Sequence, residues 1–219
     1  MPLRLMTKQQ MPPGRRPPNT LSWRRSMPAT KPFLFVFMGL IASGKSTLAQ
    51  AFARRSGLAA YNSDVVRKEL AGMQSSERGG ADFAGGIYSP NFSRRTYDRL
   101  LELAAAELHQ GRSVIVDASY DKEAERRRVV KFCRSHNLDY LFILCSASEK
   151  ETRRRLAVRA QDPEAVSDAT LAIYQRQKEV FQYPHEIDPD SFVEVISDRP
   201  VNELLTSLTT SRTFPSFSS

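Results

Sequence analysis

The stretch FLFVFMGLIASGKSTLAQA, residues 33–51, holds three patterns in succession. Phe33 to Met38 is a run of strand formers, Gly39 to Ser46 fits G-x-x-x-x-G-K-[ST] without a mismatch, and a helical pattern follows. That order is what a phosphate-binding loop requires. Glycine lets the backbone curl so that successive N–H groups point inward at an anion. Lys45 supplies a point charge for the β- and γ-phosphates, Ser46 a hydroxyl for Mg²⁺, and the next helix its positive N-terminus. The expected cradle is Gly39, Ala42, Ser43, Gly44, Lys45, Ser46 and Thr47.

Charge bounds the partners. Residues 1–31 carry seven basic side chains and no acid, in the Pro-rich sequence MPLRLMTKQQMPPGRRPPNTLSWRRSMPATK. The remaining 25 basic and 24 acidic residues leave the rest near neutrality. The net charge of +8 therefore belongs to an arm too poor in apolar residues to build a core. Three readings of the arm stay open: an over-extended start with Met27 as initiator, a disordered segment that holds polyanions weakly, and a targeting segment. Nucleic acid enters only through this arm or as a 5′-hydroxyl substrate. Two cysteines, Cys133 and Cys145, fall in helix and strand patterns and read as buried free thiols. Apolar runs are too short to cross a membrane as a helix, so a cytoplasmic monomer or small homo-oligomer is expected.

Along the chain, Ser46 to Arg55 reads as a helix and Leu58 to Tyr61 as a short strand that delivers Asn62, Ser63 and Asp64 at its carboxyl end, where open α/β sheets collect functional side chains. Asp64 stands at or near the N-cap of a helix from Val65 to Leu70. Residues 72–92 are Gly- and Ser-rich without a period, the mark of a binding segment or lid. Ser93 to Gln110 is the strongest helix, with Arg94, Arg95 and Arg99 in its early turns. Ser113 to Ser119 reads as a strand ending in Asp117, the form of a strand whose carboxylate holds Mg²⁺ with Ser46. A helix from Asp121 to His136, a buried strand from Tyr140 to Cys145, and a helix broken at Asp162-Pro163 follow. Arg153, Arg154, Arg155 and Arg159 cluster on that helix, with Arg155 and Arg159 sharing a face. A strand from Phe192 to Ile196 and a helix from Val201 to Leu208 finish the pattern.

Strands alternating with helices give a P-loop three-layer α/β/α sandwich with a parallel sheet of about five strands. The expected organisation is a disordered basic tail (1–31), one P-loop kinase domain (32–208) with a lid at about 149–168, and a disordered Ser/Thr-rich end (209–219).

GLIASGKST, YNSDVVRKEL, YSPNFSRRTYDRLLELA and GRSVIVDAS together resemble the small P-loop kinases of the polynucleotide kinase type. The likeness is strongest to stand-alone members of the AAA-type ATP-binding kinase domain family, with zeta toxins and chloramphenicol phosphotransferases more distant. It spans roughly residues 33–185. The resemblance implies ATP as donor, Asp64 as base toward an acceptor hydroxyl, and Arg67 as a contact to the acceptor. It sets Tyr88 and Arg95 on the acceptor side and Arg153, Arg154 and Arg159 among the lid arginines, Arg153 stabilising the transferred group and Arg154 and Arg159 binding the nucleotide. The glycine-rich segment 79–86 has no counterpart in the polynucleotide kinase pattern, so the acceptor stays open. The rival is an ATP-hydrolysing switch without a small-molecule acceptor; it needs no acceptor base, and Asp64 weighs against it.

Overall fold

Strand β1 (Phe33–Met38) alternates its side chains between two cores, as the two-residue period of a strand dictates. Leu34, Val36 and Met38 enter one, while Phe35 and Phe37 enter the other, and all are fully buried. A strand apolar on both faces needs helices on both faces, and that is the architecture.

The computed structural model describes residues 31–74, 86–161 and 170–210. After β1 come α1 (Lys45–Ser56), β2 (Ala59–Asn62), α2 (Ser63–Leu70), α3 (Pro90–His109), β3 (Val114–Asp117) and α4 (Glu123–Ser135). Then follow β4 (Asp139–Ser146), α5 (Glu149–Ala160), α6 (Leu171–Val180), β5 (Phe192–Ile196) and α7 (Val201–Thr210). The five strands are all parallel in the order β2-β3-β1-β4-β5. Leu48 and Phe52 of α1 and Leu204, Leu205 and Leu208 of α7 cover one face; Leu100, Ala104 and Leu108 of α3 and Val129 and Cys133 of α4 cover the other. This is the three-layer P-loop sandwich that the strand–helix alternation predicts. Cys133 and Cys145 are both buried as free thiols.

The differences are local. β2 runs one residue further than expected, so Asn62, not Asp64, is the N-cap of α2: its side chain accepts from the amides of Asp64 and Val65. Helix α3 begins three residues early because Ser89 caps it and Pro90 occupies its first turn, where a missing N–H costs nothing. Most of the basic arm, the centre of the glycine-rich segment, the Asp162-Pro163 break and most of the Ser/Thr-rich end lie outside the described residues.

Candidate active site

The carboxyl ends of β2, β3 and β1 are level in the sheet, with Asn62 opposite Asp117 and Asp117 opposite Phe37. That register sets three functional segments side by side: the loop after β1, Asp117, and the start of α2.

The loop after β1 turns its carbonyls outward. Arg155 Nη1 donates to Ala42 O at 3.1 Å, Ser197 Oγ to Ser43 O at 2.6 Å, and Lys45 Nζ to Leu40 O at 3.4 Å. Gly39 N–H donates to Ser119 O at 3.2 Å and Ser43 N–H to Leu40 O at 3.1 Å. The amides of Gly44, Lys45, Ser46 and Thr47 have no such partner among the described residues, which leaves a nest of N–H groups at the start of α1. Glycine is required at both ends. Gly39 has φ +139, and a Cβ there would lie 2.2 Å from Cys145 O. Gly44 has φ +83, and its Cβ would meet Ser197 Oγ at 2.8 Å and Arg155 Nη1 at 2.9 Å.

Asp117 is 3 % exposed; its Oδ2 accepts from Asn62 Nδ2 at 2.5 Å, and its Oδ1 is buried without a partner. Burial raises its pKa, opposed by the charge of Lys45 and hydrogen bonds from Ser46 and Asn62. An orphaned carboxylate oxygen beside a serine hydroxyl is a donor set suited to a hard cation, so Ser46 and Asp117 fit Mg²⁺.

A cleft of about 380 Å³ opens in front of Lys45. Asp64 lines it from the first turn of α2, half-buried, and its carboxylate has no hydrogen bond or ion pair among the described residues. One turn on, Arg67 is 8 % exposed. Its Nη1 donates to Ile87 O at 2.8 Å and Ser93 Oγ at 3.1 Å, its guanidinium lies 5.1 Å from the Tyr88 ring centroid, and its Nε is buried without a partner. Tyr88 lines the cleft beside it. Arg95 is exposed over the Phe92 ring, and Arg94 is the arginine of that turn that reaches the cleft.

The wall opposite is the turn after β3. Tyr97 Oη pairs with Ser119 Oγ at 3.0 Å and accepts from Tyr120 N–H at 3.2 Å, at a residue with φ 45. Ser119 Oγ donates to Asp121 Oδ1 at 3.3 Å and so helps hold Asp121 on the cleft wall. Burial, with the charge of Asp121, pushes the Tyr97 hydroxyl up to about 12, so it is a neutral hydrogen-bonding group at any working pH.

The arginine cluster divides. Arg153 pairs with Glu149 and Arg154 with Glu151, both on the exposed side of α5. Arg155 turns inward to Ala42 O, Ser197 Oγ and Ser197 O. Arg159, one turn beyond, is half-buried and unpaired among the described residues. The structure thus brings Gly39 to Thr47, Asp117, Asp64, Arg67 and Tyr88 together and leaves Arg153, Arg154 and Arg95 outside. Sequence reasoning passed over Asp121, Gln177 and Ser197, and set Asn62 at the functional end of its strand without giving it a role. For Arg94 a signal existed, since it precedes the core-facing Tyr97 by three residues.

Among known families, the model described as AAA domain matches residues 34–184. The chain belongs to the AAA domain family. This family member has the fold of the small P-loop kinases. A Chloroflexus aurantiacus protein provisionally called a kinase superposes with a TM-score of 0.62 at 20% identity, over 83% of this chain and 98% of that one. A Janibacter sugar kinase, unliganded, gives 0.57 at 19% identity over 82% and 93%. The Mycobacterium tuberculosis APS kinase in complex with AMPPNP and APS gives 0.57 at 20% over 84% and 98%. None of the curated proteins matches the chain. Among the described residues no helix is long and apolar enough to cross a membrane.

Proposed function

We propose that this AAA domain is a kinase that transfers the γ-phosphoryl of ATP to a hydroxyl of a small acceptor. The observation that carries the reading is a pair of side chains on one cleft: Lys45 from the loop, and Asp64 with an unengaged carboxylate. In phosphoryl transfer the protein's task is positioning and charge, because the moving group needs little covalent help. The amides of Gly44 to Thr47 and the Lys45 ammonium hold the phosphates. Ser46 and Asp117 would hold Mg²⁺, which would offset the charge of the phosphates. Asp64 accepts the proton of the attacking hydroxyl, and its open lone pairs leave it ready to do so.

Arg67 and Tyr88 form the acceptor wall. The Arg67 guanidinium has no carboxylate partner within ion-pair distance among the described residues, and its buried Nε is unsatisfied. A buried cation without a counter-ion favours an acceptor that carries its own anion about one helical turn, roughly 5–6 Å, from the reacting hydroxyl. Of the lid arginines, Arg153 and Arg154 reach the transferred group only by leaving Glu149 and Glu151, exchanges that cost little on an exposed surface.

The test is a labelled-ATP screen against pooled hydroxyl acceptors, with Asp64→Asn as the blank and Lys45→Ala as the donor control. Asp64→Asn is expected to lower transfer by about 10²- to 10⁴-fold with ATP affinity retained. Equal loss of binding and transfer, or loss of neither, removes Asp64 from the base role; ATP hydrolysis with no acceptor labelled in any pool points instead to the nucleotide-dependent switch.

A further inference from the structure

Helix α6 and the residues after it touch both halves of the cleft. Ile173, Gln177 and Val180 recur at helical spacing and line it, while Tyr174, 8 % exposed, packs with Ile41, Ala42 and Leu156 against the phosphate loop. Two glutamines fasten this segment to two different loops. Gln177 Oε1 accepts from the Ile41 N–H at 2.9 Å. Gln182 Oε1 accepts from the Glu123 N–H at 2.7 Å, and the Gln182 N–H donates to Asp121 O at 2.9 Å.

Ile41 belongs to the donor loop; Asp121 and Glu123 belong to the turn that forms the far wall. The contact at Ile41 is also unlike the loop's others. Among the described residues, the other backbone groups of the loop fastened from outside are carbonyls or the Gly39 amide at the strand end, whereas Gln177 takes an amide in the middle of the curl. An amide carbonyl suits this place, since it accepts the N–H without setting a negative charge beside bound phosphates.

We infer that Gln177 is a positioning residue: its bond to Ile41, with the two bonds of Gln182, makes residues 171–182 a strut that holds the donor loop and the 119–125 turn in register, so that filling the first orders the second. The inference rests on the reading of the loop as a nucleoside triphosphate site. Were Gln177 only packing α6 onto the domain, its loss would lower stability and leave the 119–125 response to nucleotide intact, carried by the direct bond from the Gly39 N–H to Ser119 O.

Hydrogen–deuterium exchange with Mg²⁺ and adenylyl imidodiphosphate separates these cases without knowledge of the acceptor. In the unaltered protein, nucleotide slows exchange at 39–48 and also at 119–125. In Gln177→Leu the first protection persists and the second is lost. Gln177→Glu keeps an oxygen for the Ile41 N–H and restores the second at saturating nucleotide. Gln182→Leu removes the side-chain half of the strut's other end, the Oε1 bond to the Glu123 N–H, and leaves the backbone bond to Asp121 O; it lowers the same protection and serves as the test if Gln177→Leu does not fold. The inference is overturned if 119–125 stays protected in both Leu variants, if Gln177→Glu behaves as Gln177→Leu, or if the unaltered protein shows protection at 39–48 alone. Absence of protection at 39–48 in the unaltered protein overturns the nucleotide-site reading itself.

Discussion

Asn62 binds Asp117 through one branch of its amide and caps helix α2 through the other. Nδ2 donates to Asp117 Oδ2 at 2.5 Å, and Oδ1 accepts from the amides of Asp64 at 2.9 Å and Val65 at 3.2 Å. One side chain therefore sets both the orientation of the candidate metal carboxylate and the start of the helix that carries the candidate base.

The two jobs separate by substitution. Asn62→Asp keeps an oxygen cap but sets a second carboxylate against Asp117, whose proton affinity rises further, so Mg²⁺-dependent ATP binding is expected to weaken as pH falls and Asp117 takes up a proton. Its thermal stability is expected to fall near neutral pH, where the two carboxylates repel, and to recover at lower pH as one of them is protonated. Asn62→Ala loses the cap as well, at about 1 kcal/mol. Calorimetric ATP titrations with and without Mg²⁺, beside thermal unfolding, read both. Unchanged Mg²⁺ dependence in Asn62→Asp would remove Asp117 from the metal site.

Gly44→Ala places a Cβ 2.8 Å from Ser197 Oγ and 2.9 Å from Arg155 Nη1 at φ +83. Strain of about 1–3 kcal/mol is expected from the backbone alone, and relief requires the Arg155–Ser197 pair to withdraw. ATP affinity should fall with the loss of loop shape. Gly57→Ala is the control: its φ is +70, but nothing lies within 4 Å, so it loses stability without losing nucleotide.

Arg155 and Arg153 should fail differently. Arg155→Ala removes the donors to Ala42 O, Ser197 Oγ and Ser197 O, so ATP affinity drops along with stability. Arg153→Ala breaks one exposed pair with Glu149, a change of about 1 kcal/mol or less. If Arg153 swings onto the transferred group, its loss appears in kcat with ATP affinity and unfolding temperature intact.

The thiols offer a check on packing. Burial pushes both Cys133 and Cys145 up to about 12, so near neutral pH almost no thiolate exists to react. Neither is expected to be modified by a thiol reagent at pH 8 in the folded protein. Both react at once in denaturant. A raised folded pKa means that reactivity appears only as pH climbs toward that value or as the protein opens; labelling of the native protein at pH 8 would contradict the core assignment.

What the chain discloses in advance is what is local. The strand, loop and helix around Lys45 form a contiguous pattern, and Asp64 and Asp117 stand at strand ends, where a parallel sheet exposes side chains. Hidden were the groups that shape the loop from far away: Arg155, Gln177 and Ser197 reach it across 113, 136 and 154 residues. No local period encodes such contacts. The arginine run shows why: Arg153, Arg154 and Arg155 are consecutive yet point in different directions around α5, and only the angle decides that Arg155 faces the loop. At Asn62 the miss was of boundary, since one more residue of strand moved the cap from Asp64 and left that carboxylate free.

The strand order bears on how such a protein can change over time. The donor loop hangs from β1, the middle strand, hemmed in by β3 and β4, where a substitution disturbs two neighbours at once. Asp64 and Arg67 hang from β2, a four-residue strand at the rim of the sheet with one neighbour. On the proposed reading, a change at the strand that carries the acceptor side disturbs one neighbouring strand, whereas a change at the strand that carries the donor loop disturbs two, so the sheet itself constrains the donor side more.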